Sequence, residues 1–470
     1  MSAPVAPDGL VGTPGTGGAG GPGTPGPRIA GRRGVALLVA VLLAPILFLV
    51  GGAFVLSGGS RDAPPAPARP APGVAEVDAG ADPAAGIRAL QDRLRRLPDD
   101  DAAWAALGFA YVSQARRTAD PSYYDLADQA LARSLQVRPE GNADALTGQA
   151  ALANARHDFA IGRDLAEQAV AIDPYDSTAK GVLSDAQLEL GEYDAALATL
   201  DAMLALAPGV PSFTRASYAY ELRGDIEGAR SALDRALGIA SAPGDTSFVL
   251  LYLGELAFNA GDVETASTHY AEGLRRDPSQ VALLAGRAKV SVARGDVEAA
   301  LTDYAEVVQR LPQPTYLVEY GDLLQSLGRT GEAAEQYAVA DAVQALFAAS
   351  GAVPDVETVL YDADHGRAAQ ALAAAQAQYE TRRSVHVQDA LAWALHAAGR
   401  DAEALEHAVA AQRLGTRNAL WDYHRGMIQK ELGLIEDARA SLMQALDTNP
   451  GFSPLHAPIA EAALRSLGSP

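Results

Sequence analysis

Cysteine is absent from all 470 residues of the sequence. Its absence excludes disulfides, thiolate metal sites, a cysteine nucleophile and haem attachment through C-x-x-C-H. Lysine is also scarce, since only Lys180, Lys289 and Lys430 occur. Arginine therefore carries nearly all the positive charge of the chain.

Acidic residues outnumber basic ones, and the formal net charge is −21 at pH 7. Residues 1–60 hold Asp8 against Arg28, Arg32 and Arg33 and carry +2, so the remaining residues carry −23. A region this acidic is not expected to follow the phosphate backbone of a nucleic acid. We therefore expect no nucleic-acid partner.

Catalytic and metal-binding motifs are missing as well. The eight histidines form neither H-E-x-x-H nor another close ligand pair. His386 and His396 are ten residues apart on one predicted helix, which separates them by about 15 Å along its axis. No G-x-S-x-G elbow occurs either. We expect no enzyme, no metal site and no cofactor.

The N-terminal residues predict a membrane anchor. Residues 1–33 are rich in Gly, Pro, Thr and Ala, which indicates a disordered cytoplasmic tail. Residues 35–56 contain no charge, and at about 1.5 Å per residue they are long enough to cross a ~30 Å hydrocarbon core. We predict a transmembrane helix over residues 34–57. The alternatives are a cleaved signal peptide, although the apolar run is longer than is typical, and a core helix of a soluble protein.

The charges around the predicted helix set its orientation. The three arginines before it predict that the chain after it lies outside the cytoplasm, in a single-pass protein of the cell membrane. Residues 58–84 form a Pro/Ala-rich linker that favours a semi-rigid, extended backbone. A lead helix follows over residues 85–97, because one helical face carries Ile87, Leu90, Leu94 and Leu97.

Proline and glycine recur at a spacing of 34 residues through the rest of the chain. Pro174 and Pro208 show this spacing, and so do Gly261 and Gly295. A period near 34 with helical content is typical of stacked helix–turn–helix units. Each unit buries its apolar stripe against its neighbours, so the chain is predicted to form a solenoid.

The first full unit begins with Trp104-x-x-Leu107-Gly108-x-x-Tyr111 and ends at Pro139. This pattern resembles the tetratricopeptide repeat (TPR) family, and the resemblance extends over roughly residues 98–450. It implies an all-α TPR solenoid, a right-handed superhelix of about ten helix–turn–helix repeats, behind one N-terminal transmembrane helix. Gly108 is expected to let the second helix of the unit approach the first closely.

An alanine-rich helix near residue 341 is expected to continue beyond its repeat before Gly351 and Pro354 end it. This interruption predicts a first TPR array with its lead helix over residues 85–350. A second sub-array with a C-terminal capping helix would follow over residues 351–467. The alternative is one continuous superhelix with a degenerate repeat.

In TPR proteins the first helix of each repeat lines a concave groove. The resemblance places partner-binding residues at its groove positions, which are Asp185, Tyr218, Glu255, Phe258, Lys289, Asp322, Trp393, His396 and Met427. His386, Asp389, Trp393 and His396 also form one continuous helical stripe. Trp393 and Tyr218 are expected to be partly exposed as anchors for a bound segment. The alternative for Trp393 is packing in the joint between the sub-arrays.

The leading functional prediction is a membrane-anchored extracytoplasmic scaffold that binds a protein or peptide partner in this groove. Residues 90–108, LQDRLRRLPDDDAAWAALG, also look like the TPR portion of cytochrome c biogenesis proteins. That resemblance implies an accessory protein that presents apocytochrome. A third possibility is an accessory subunit that docks a membrane enzyme or transporter. The identity of the partner and the oligomeric state stay open.

Overall fold

The structure is a computed structural model that describes residues 83–468. The predicted tail over residues 1–33, the predicted transmembrane helix over residues 34–57 and nearly all of the 58–84 linker lie outside these residues. Among the helices of the described part, none combines the length and the apolar character needed to span a membrane.

Residues 83–468 contain 22 α-helices and no β-strand. The helices are α1 (Pro83–Arg96), α2 (Asp101–Thr118), α3 (Ser122–Val137), α4 (Ala143–Ala155), α5 (Phe159–Ile172), α6 (Ser177–Leu190), α7 (Tyr193–Leu206), α8 (Val210–Glu221), α9 (Ile226–Ile239), α10 (Pro243–Asn259), α11 (Val263–Arg276), α12 (Val281–Ala293), α13 (Val297–Arg310), α14 (Pro314–Ser326), α15 (Thr330–Ala349), α16 (Val356–Asp364), α17 (Ala368–Thr381), α18 (Val385–Ala397), α19 (Asp401–Ala411), α20 (Ala419–Glu431), α21 (Ile435–Thr448) and α22 (His456–Ser466).

The helices between α1 and α22 pack as ten consecutive pairs, from α2 with α3 to α20 with α21. We call the first helix of each pair the A helix and the second the B helix. Neighbouring pairs also pack on one another, so each pair buries its apolar side chains partly against the next. The predicted all-α solenoid of about ten helix–turn–helix units is confirmed for residues 83–468.

A glycine–aspartate sequence lies at the turn between the A and B helices in three successive pairs, after α8, α10 and α12. Gly224 and Gly261 adopt left-handed backbone, with φ of 70° and 81°, a conformation in which only glycine is unstrained. The carboxylates of Asp225 and Asp262 then accept hydrogen bonds from backbone N–H groups in the first turn of the B helix. The recurring glycines therefore mark the turns inside the pairs.

Glycines within the A helices allow close contact with large side chains. A Cβ atom at Gly108 would lie 2.5 Å from Cγ of Leu131, and one at Gly254 would lie 2.3 Å from Cε1 of Tyr270. Both distances are shorter than carbon atoms can approach without movement. The predicted close approach at Gly108 is confirmed. Gly254 allows the same close approach in the fifth helix pair, α10 with α11.

The array changes its geometry after α14. Helix α15 has 20 residues and ends at Ala349, and Gly351 follows with a φ of 83°. Helix α16 then begins behind the N-cap of Asp355. The rings of Tyr337 on α15 and His365 after α16 are 4.4 Å apart, so side chains connect the two sides of this interruption. The division into sub-arrays over residues 85–350 and 351–467 stays a prediction.

The later repeats pack against the turns of the earlier ones along a line that we call the seam. Its partners are all more than 190 residues apart. The seam hydrogen bonds run from Val353 N to Arg156 O (3.2 Å), Arg383 N to Leu190 O (3.4 Å), Val385 N to the Tyr193 hydroxyl (2.8 Å) and the Asn449 side-chain amide to Phe258 O (2.8 Å). The side chain of Thr416 also donates to the carbonyl of Leu222.

Apolar packing accompanies the seam at its beginning. One hydrophobic core contains Leu131 of α3 together with Val343 and Phe347 of α15. The ring of Phe347 meets Tyr124 of α3 edge to face, with 6.3 Å between the centroids. The superhelix is therefore closed on itself, and the A helices of its central repeats face an enclosed interior.

Candidate functional site

The inward side of the A helices carries charged and tyrosine side chains, which we call the inner surface. Its members on the A helices are Arg116, Asp185, Glu189, Arg215, Tyr218, Glu221, Tyr252, Glu255, Lys289, Tyr316, Glu319, Glu357 and His386, and Arg382 at the end of the B helix α17 joins them through Glu189. Groups on distant repeats meet here, since the ionisation of Tyr252 on α10 is influenced by Arg116 on α2 and Tyr316 on α14. Burial raises the pKa of Tyr252 well above its ordinary value.

Asp185 and Arg215 form a buried ion pair between α6 and α8. The Nε and Nη2 atoms of Arg215 donate to the two carboxylate oxygens of Asp185 at 2.9 and 3.0 Å. The side chains are only 9% and 6% exposed. Burial raises the pKa of Asp185 in spite of the neighbouring guanidinium. This bidentate geometry fixes both side chains and joins two successive A helices.

A second ion pair joins the next two A helices. Nζ of Lys289 on α12 lies 2.5 Å from Oε2 of Glu255 on α10 and 5.3 Å from the centre of the Phe258 ring. Burial lowers the pKa of Lys289, but Glu255 and Glu319 outweigh it and the net pKa is raised. Oε1 of Glu255 accepts a further hydrogen bond of 2.8 Å from the hydroxyl of Tyr270.

A third ion pair crosses the seam. Nη1 of Arg382, at the end of α17, donates to Oε2 of Glu189 on α6 at 3.1 Å, and both side chains are buried. Arg382 also lies over the ring of Phe159, with 4.9 Å to its centroid. Burial raises the pKa of Glu189 to about 7, although Arg382 opposes the shift.

Other carboxylates of the inner surface have no salt bridge to a cation among residues 83–468. Glu221 contacts the Asn259 amide at 3.4 Å, and Glu319 accepts from the hydroxyl of Tyr304 at 3.3 Å. Burial raises the pKa of Glu221 and of Glu319 to about 7. The pKa of Glu357 is raised well above its ordinary value, first by burial and then by Asp355. The inner surface is therefore rich in carboxyl groups, and burial raises the pKa of several of them to about 7.

The groove residues predicted from the sequence all lie on A helices, but they do not form one continuous strip. Glu255, Phe258 and Lys289 come together as described. Asp322 instead accepts from the hydroxyl of Tyr337 at 2.8 Å and lies 3.4 Å from Nε2 of His365. The carboxylate of Asp322 therefore contacts side chains at the junction between α14, α15 and α16, away from Glu255, Phe258 and Lys289.

Tyr218 has the partial exposure that the sequence predicts, and the ring of His386 stacks on it at 6.3 Å. Asp185 and Phe258 are only 6% and 5% exposed. Neighbouring repeats account for both positions, because Arg215 covers Asp185 and Lys289 lies over the ring of Phe258.

The expectation that Trp393 is partly exposed is wrong. Its side chain is 7% exposed, and its indole Nε1–H donates to Oδ1 of Asp364 at 2.7 Å. The ring stacks on His424 at 4.2 Å and on His396 at 4.8 Å. Met427 packs against the same core, which also contains residues of α22. Trp393 is therefore a core residue among α16, α18, α20 and the last helix.

Sequence reasoning missed the positions nine residues before the turn glycines. The predicted groove residues Tyr218, Glu255 and Asp322 lie six residues before Gly224, Gly261 and Gly328. Three residues earlier on the same helical face lie the inner-surface residues Arg215, Tyr252 and Glu319. The 34-residue period would have found them if one more helical turn had been counted as groove.

The inner surface is not arranged as a metal centre. Within the part of the chain that the structure describes, no group of three or more His, Asp or Glu side chains is placed to hold a metal ion. The surface instead offers carboxylates, phenol rings and a few paired cations, which is a chemistry suited to non-covalent binding.

Two family models of the tetratricopeptide repeat match the chain, one over residues 151–216 and one over residues 423–452. No curated protein matches it. Similar solved structures include a thermophilic TPR protein of Thermus thermophilus, at 22% identity and a TM-score of 0.36 over 40% of this chain and 98% of that one. A tetratricopeptide repeat protein of Parabacteroides merdae is 17% identical, with a TM-score of 0.30 over 55% of this chain and 99% of that one. The human IFIT1 dimer with m7Gppp-AAAA is 12% identical, with a TM-score of 0.44 over 77% of this chain and 86% of that one.

Proposed function

We propose that this chain, which contains tetratricopeptide repeats, is a membrane-anchored extracytoplasmic scaffold that binds a protein or peptide segment on its inner surface. The observation that carries the proposal is the inner surface itself, where carboxylates outnumber cations and tyrosine rings lie between them. Buried carboxylates without a salt bridge, such as Glu221 and Glu319, do not stabilise the solenoid, because burying an unpaired charge is unfavourable. Such groups are retained where a ligand uses them.

The tyrosines suit recognition of an extended segment. Tyr218, Tyr252 and Tyr316 lie on three different A helices, so they offer ring faces at intervals along the interior. A tyrosine provides a large rigid contact area together with a hydroxyl, and its rotamer freedom is small. A peptide that runs along the interior could therefore be held by its side chains and by its backbone.

The membrane anchor and the extracytoplasmic location are supported by the sequence of the N-terminal residues. An uncharged run over residues 35–56 follows three arginines, a pattern typical of a single-pass anchor with its N-terminus in the cytoplasm. An anchored scaffold would keep its bound partner close to the membrane surface. We propose no catalytic activity for the chain.

Two narrower versions of this role differ in the partner. One is a cytochrome c biogenesis accessory that presents apocytochrome, which the sequence of residues 90–108 supports. The other is an accessory subunit that docks a membrane enzyme or transporter. Identification of the captured partner distinguishes the two.

The test is site-specific photocrosslinking in living cells. The photoreactive residue p-benzoyl-phenylalanine replaces Tyr316 on the inner surface or, as a control, Tyr175, which is 79% exposed outside it. We expect a discrete adduct from position 316 and none of the same size from position 175, with mass spectrometry naming the partner. Adducts from position 175 alone would contradict binding on the inner surface.

A further inference from the structure

We propose that Glu221, Tyr218 and Glu357 form a binding site for one ammonium or guanidinium group of the partner segment. The inference rests on the proposed function above and adds the chemistry of the partner, namely a lysine or arginine side chain. Tyr218 and Glu221 lie one turn apart on α8 and Glu357 lies on α16, and both carboxyl groups act on the ionisation of Tyr218.

The strongest observation is a buried hydroxyl without a partner. The hydroxyl oxygen of Tyr218 is buried and makes no hydrogen bond to any described residue. Glu189, Glu221 and Glu357 all lie close enough to influence its ionisation. A second buried oxygen, Oε2 of Glu357 on α16, also makes no hydrogen bond to a described residue. Buried polar atoms are normally paired, so these two oxygens leave hydrogen-bonding capacity that a donor from a ligand can use.

The neighbouring repeats show what the site lacks. One repeat earlier, Arg215 pairs with Asp185, and one repeat later, Lys289 pairs with Glu255. At Glu221, which lies between them along the chain, the carboxylate accepts a hydrogen bond from the Asn259 amide at 3.4 Å and has no salt bridge to a described cation. Glu221 lies one helical turn after the register of Asp185, Tyr218 and Glu255, so neither ion pair extends to it. A cation from a partner would give its carboxylate the charged contact that the described residues do not.

The nearby basic groups of the protein do not provide that cation. Arg382 is already paired with Glu189 at 3.1 Å. His386 stacks on Tyr218 and packs edge to face on Trp421, and burial together with Arg382 lowers its pKa to about 3, so the imidazole is neutral. Its ring forms an apolar wall beside the carboxylates, on which the methylene groups of a lysine or arginine can pack.

The chemistry of the site also excludes other ligands. Anions are not favoured above pH 7, because Glu221 is then ionised and would repel them. A divalent metal is not favoured, because no described cluster of acidic and histidine side chains has the arrangement of a metal site. An organic cation fits, because it can donate to the carboxylates and to the tyrosine oxygen simultaneously.

The test measures binding of defined peptides to the full chain, purified in detergent, by fluorescence anisotropy. The probes are labelled octa-lysine and octa-arginine, with octa-lysine acetylated at every Nε as the neutral control. The variants are Glu221→Gln and Tyr218→Phe, which keep the shape of each side chain. Glu335→Gln is the matched control, because Glu335 is an exposed carboxylate on the B helix α15. Thermal melting checks that each variant is folded.

We expect both cationic peptides to bind and the acetylated peptide to bind at least about 10-fold more weakly, as loss of a charge-assisted hydrogen bond implies. Glu221→Gln should weaken octa-lysine binding by about the same factor and Tyr218→Phe by about 3-fold, whereas Glu335→Gln should change it less than about 2-fold. Equal effects of Glu221→Gln and Glu335→Gln would overturn the site, as would failure of the unmodified chain to bind either cationic peptide. An adduct from position 316 in those cases would leave the proposed function standing, so the two failures are distinguishable.

Discussion

The side-chain amide of Asn449 donates a hydrogen bond of 2.8 Å to the backbone carbonyl of Phe258, 191 residues earlier in the chain. Asn449 ends α21 and Phe258 lies in the last turn of α10. The bond belongs to the seam, in which the turns after α4, α6, α8 and α10 are each covered by a later part of the chain. An array closed in this way encloses its charged inner surface and raises the pKa of the carboxylates there.

Stability is predicted to depend on the protonation of Glu319. Its pKa is raised from 4.5 to about 7 by burial, with Lys289 opposing the shift and Glu255 and Asp322 adding to it. A raised folded-state pKa contributes stability that is fully present below pH 4.5 and is lost as the pH rises through 7. Glu319→Gln should therefore stabilise the chain at pH 8, by the order of 1 kcal/mol after allowance for screening by water, and change it little at pH 5.

Thermal melting at the two pH values measures this difference, and Glu335→Gln is the control because the same change at an exposed site should have little effect at either pH. Equal melting temperatures for Glu319→Gln and the unmodified chain at pH 8 would show that Glu319 is not desolvated.

Close packing at Gly254 is predicted to be essential to its helix pair. A Cβ at this position would lie 2.3 Å from the ring of Tyr270, which is fully buried. Gly254→Ala should therefore destabilise the chain by about 1–3 kcal/mol, and Gly254→Leu by more. Gly238 lies in α9 with no atom within 4 Å of its Cβ position, so Gly238→Ala should be neutral or should stabilise by up to about 1 kcal/mol. Denaturant unfolding compares the two, and similar losses from both alanine variants would refute the close approach.

Trp393 is predicted to stabilise the C-terminal repeats. Its burial among α16, α18, α20 and α22 implies that Trp393→Ala costs about 3–5 kcal/mol. Trp393→Phe should cost less, because it keeps much of the packing and loses mainly the hydrogen bond to Asp364. Tyr175→Ala, at an exposed position, should change stability by less than about 0.5 kcal/mol. A Trp393→Ala chain that melts like the unmodified protein would show that the tryptophan is not in the core.

The topology of the chain is predicted to be single-pass with the C-terminus outside the cytoplasm. The uncharged residues 35–56 and the arginines before them motivate the prediction. A reporter that is active only after export, fused after Ala84, should be active, and a reporter that is active only in the cytoplasm should be silent there. Replacing Arg28, Arg32 and Arg33 by glutamine is the matched change and should reduce export of the reporter. An active cytoplasmic reporter at Ala84 would contradict the topology.

The fold was largely predictable because the residues that define each repeat recur at a fixed spacing in the sequence. The 34-residue period, the turn glycines and the small residue at Gly108 all describe contacts between neighbouring helices. These contacts are local in sequence, so periodicity indicates them directly. The A helices that carry the inner surface were also identified in this way.

The seam was not predictable in the same way. The seam contacts depend on the small rotation between successive repeats, which accumulates over more than five repeats. This rotation decides which later loop lies against which earlier turn between helices. A contact such as that of Glu189 with Arg382, 193 residues apart, leaves no periodic trace. The burial of Trp393 was missed for a different reason. Part of it comes from α22, which lies beyond the last repeat and outside the period, and His456 of α22 lies edge to face against its ring at 6.3 Å.

Closure of the superhelix is the central claim, and a pair of engineered cysteines tests it most directly. The chain has no cysteine of its own, so Arg223→Cys and Arg417→Cys would supply the only two thiols. Arg417 approaches within 3.7 Å of the Cβ position of Gly224 across the seam. With a short bis-maleimide the account predicts an intramolecular crosslink, visible as faster migration on a denaturing gel, and none in the control pair Arg223→Cys with Arg400→Cys. Failure of the 223–417 pair to crosslink in the folded chain would mean that the array is open and that its acidic inner surface is not enclosed.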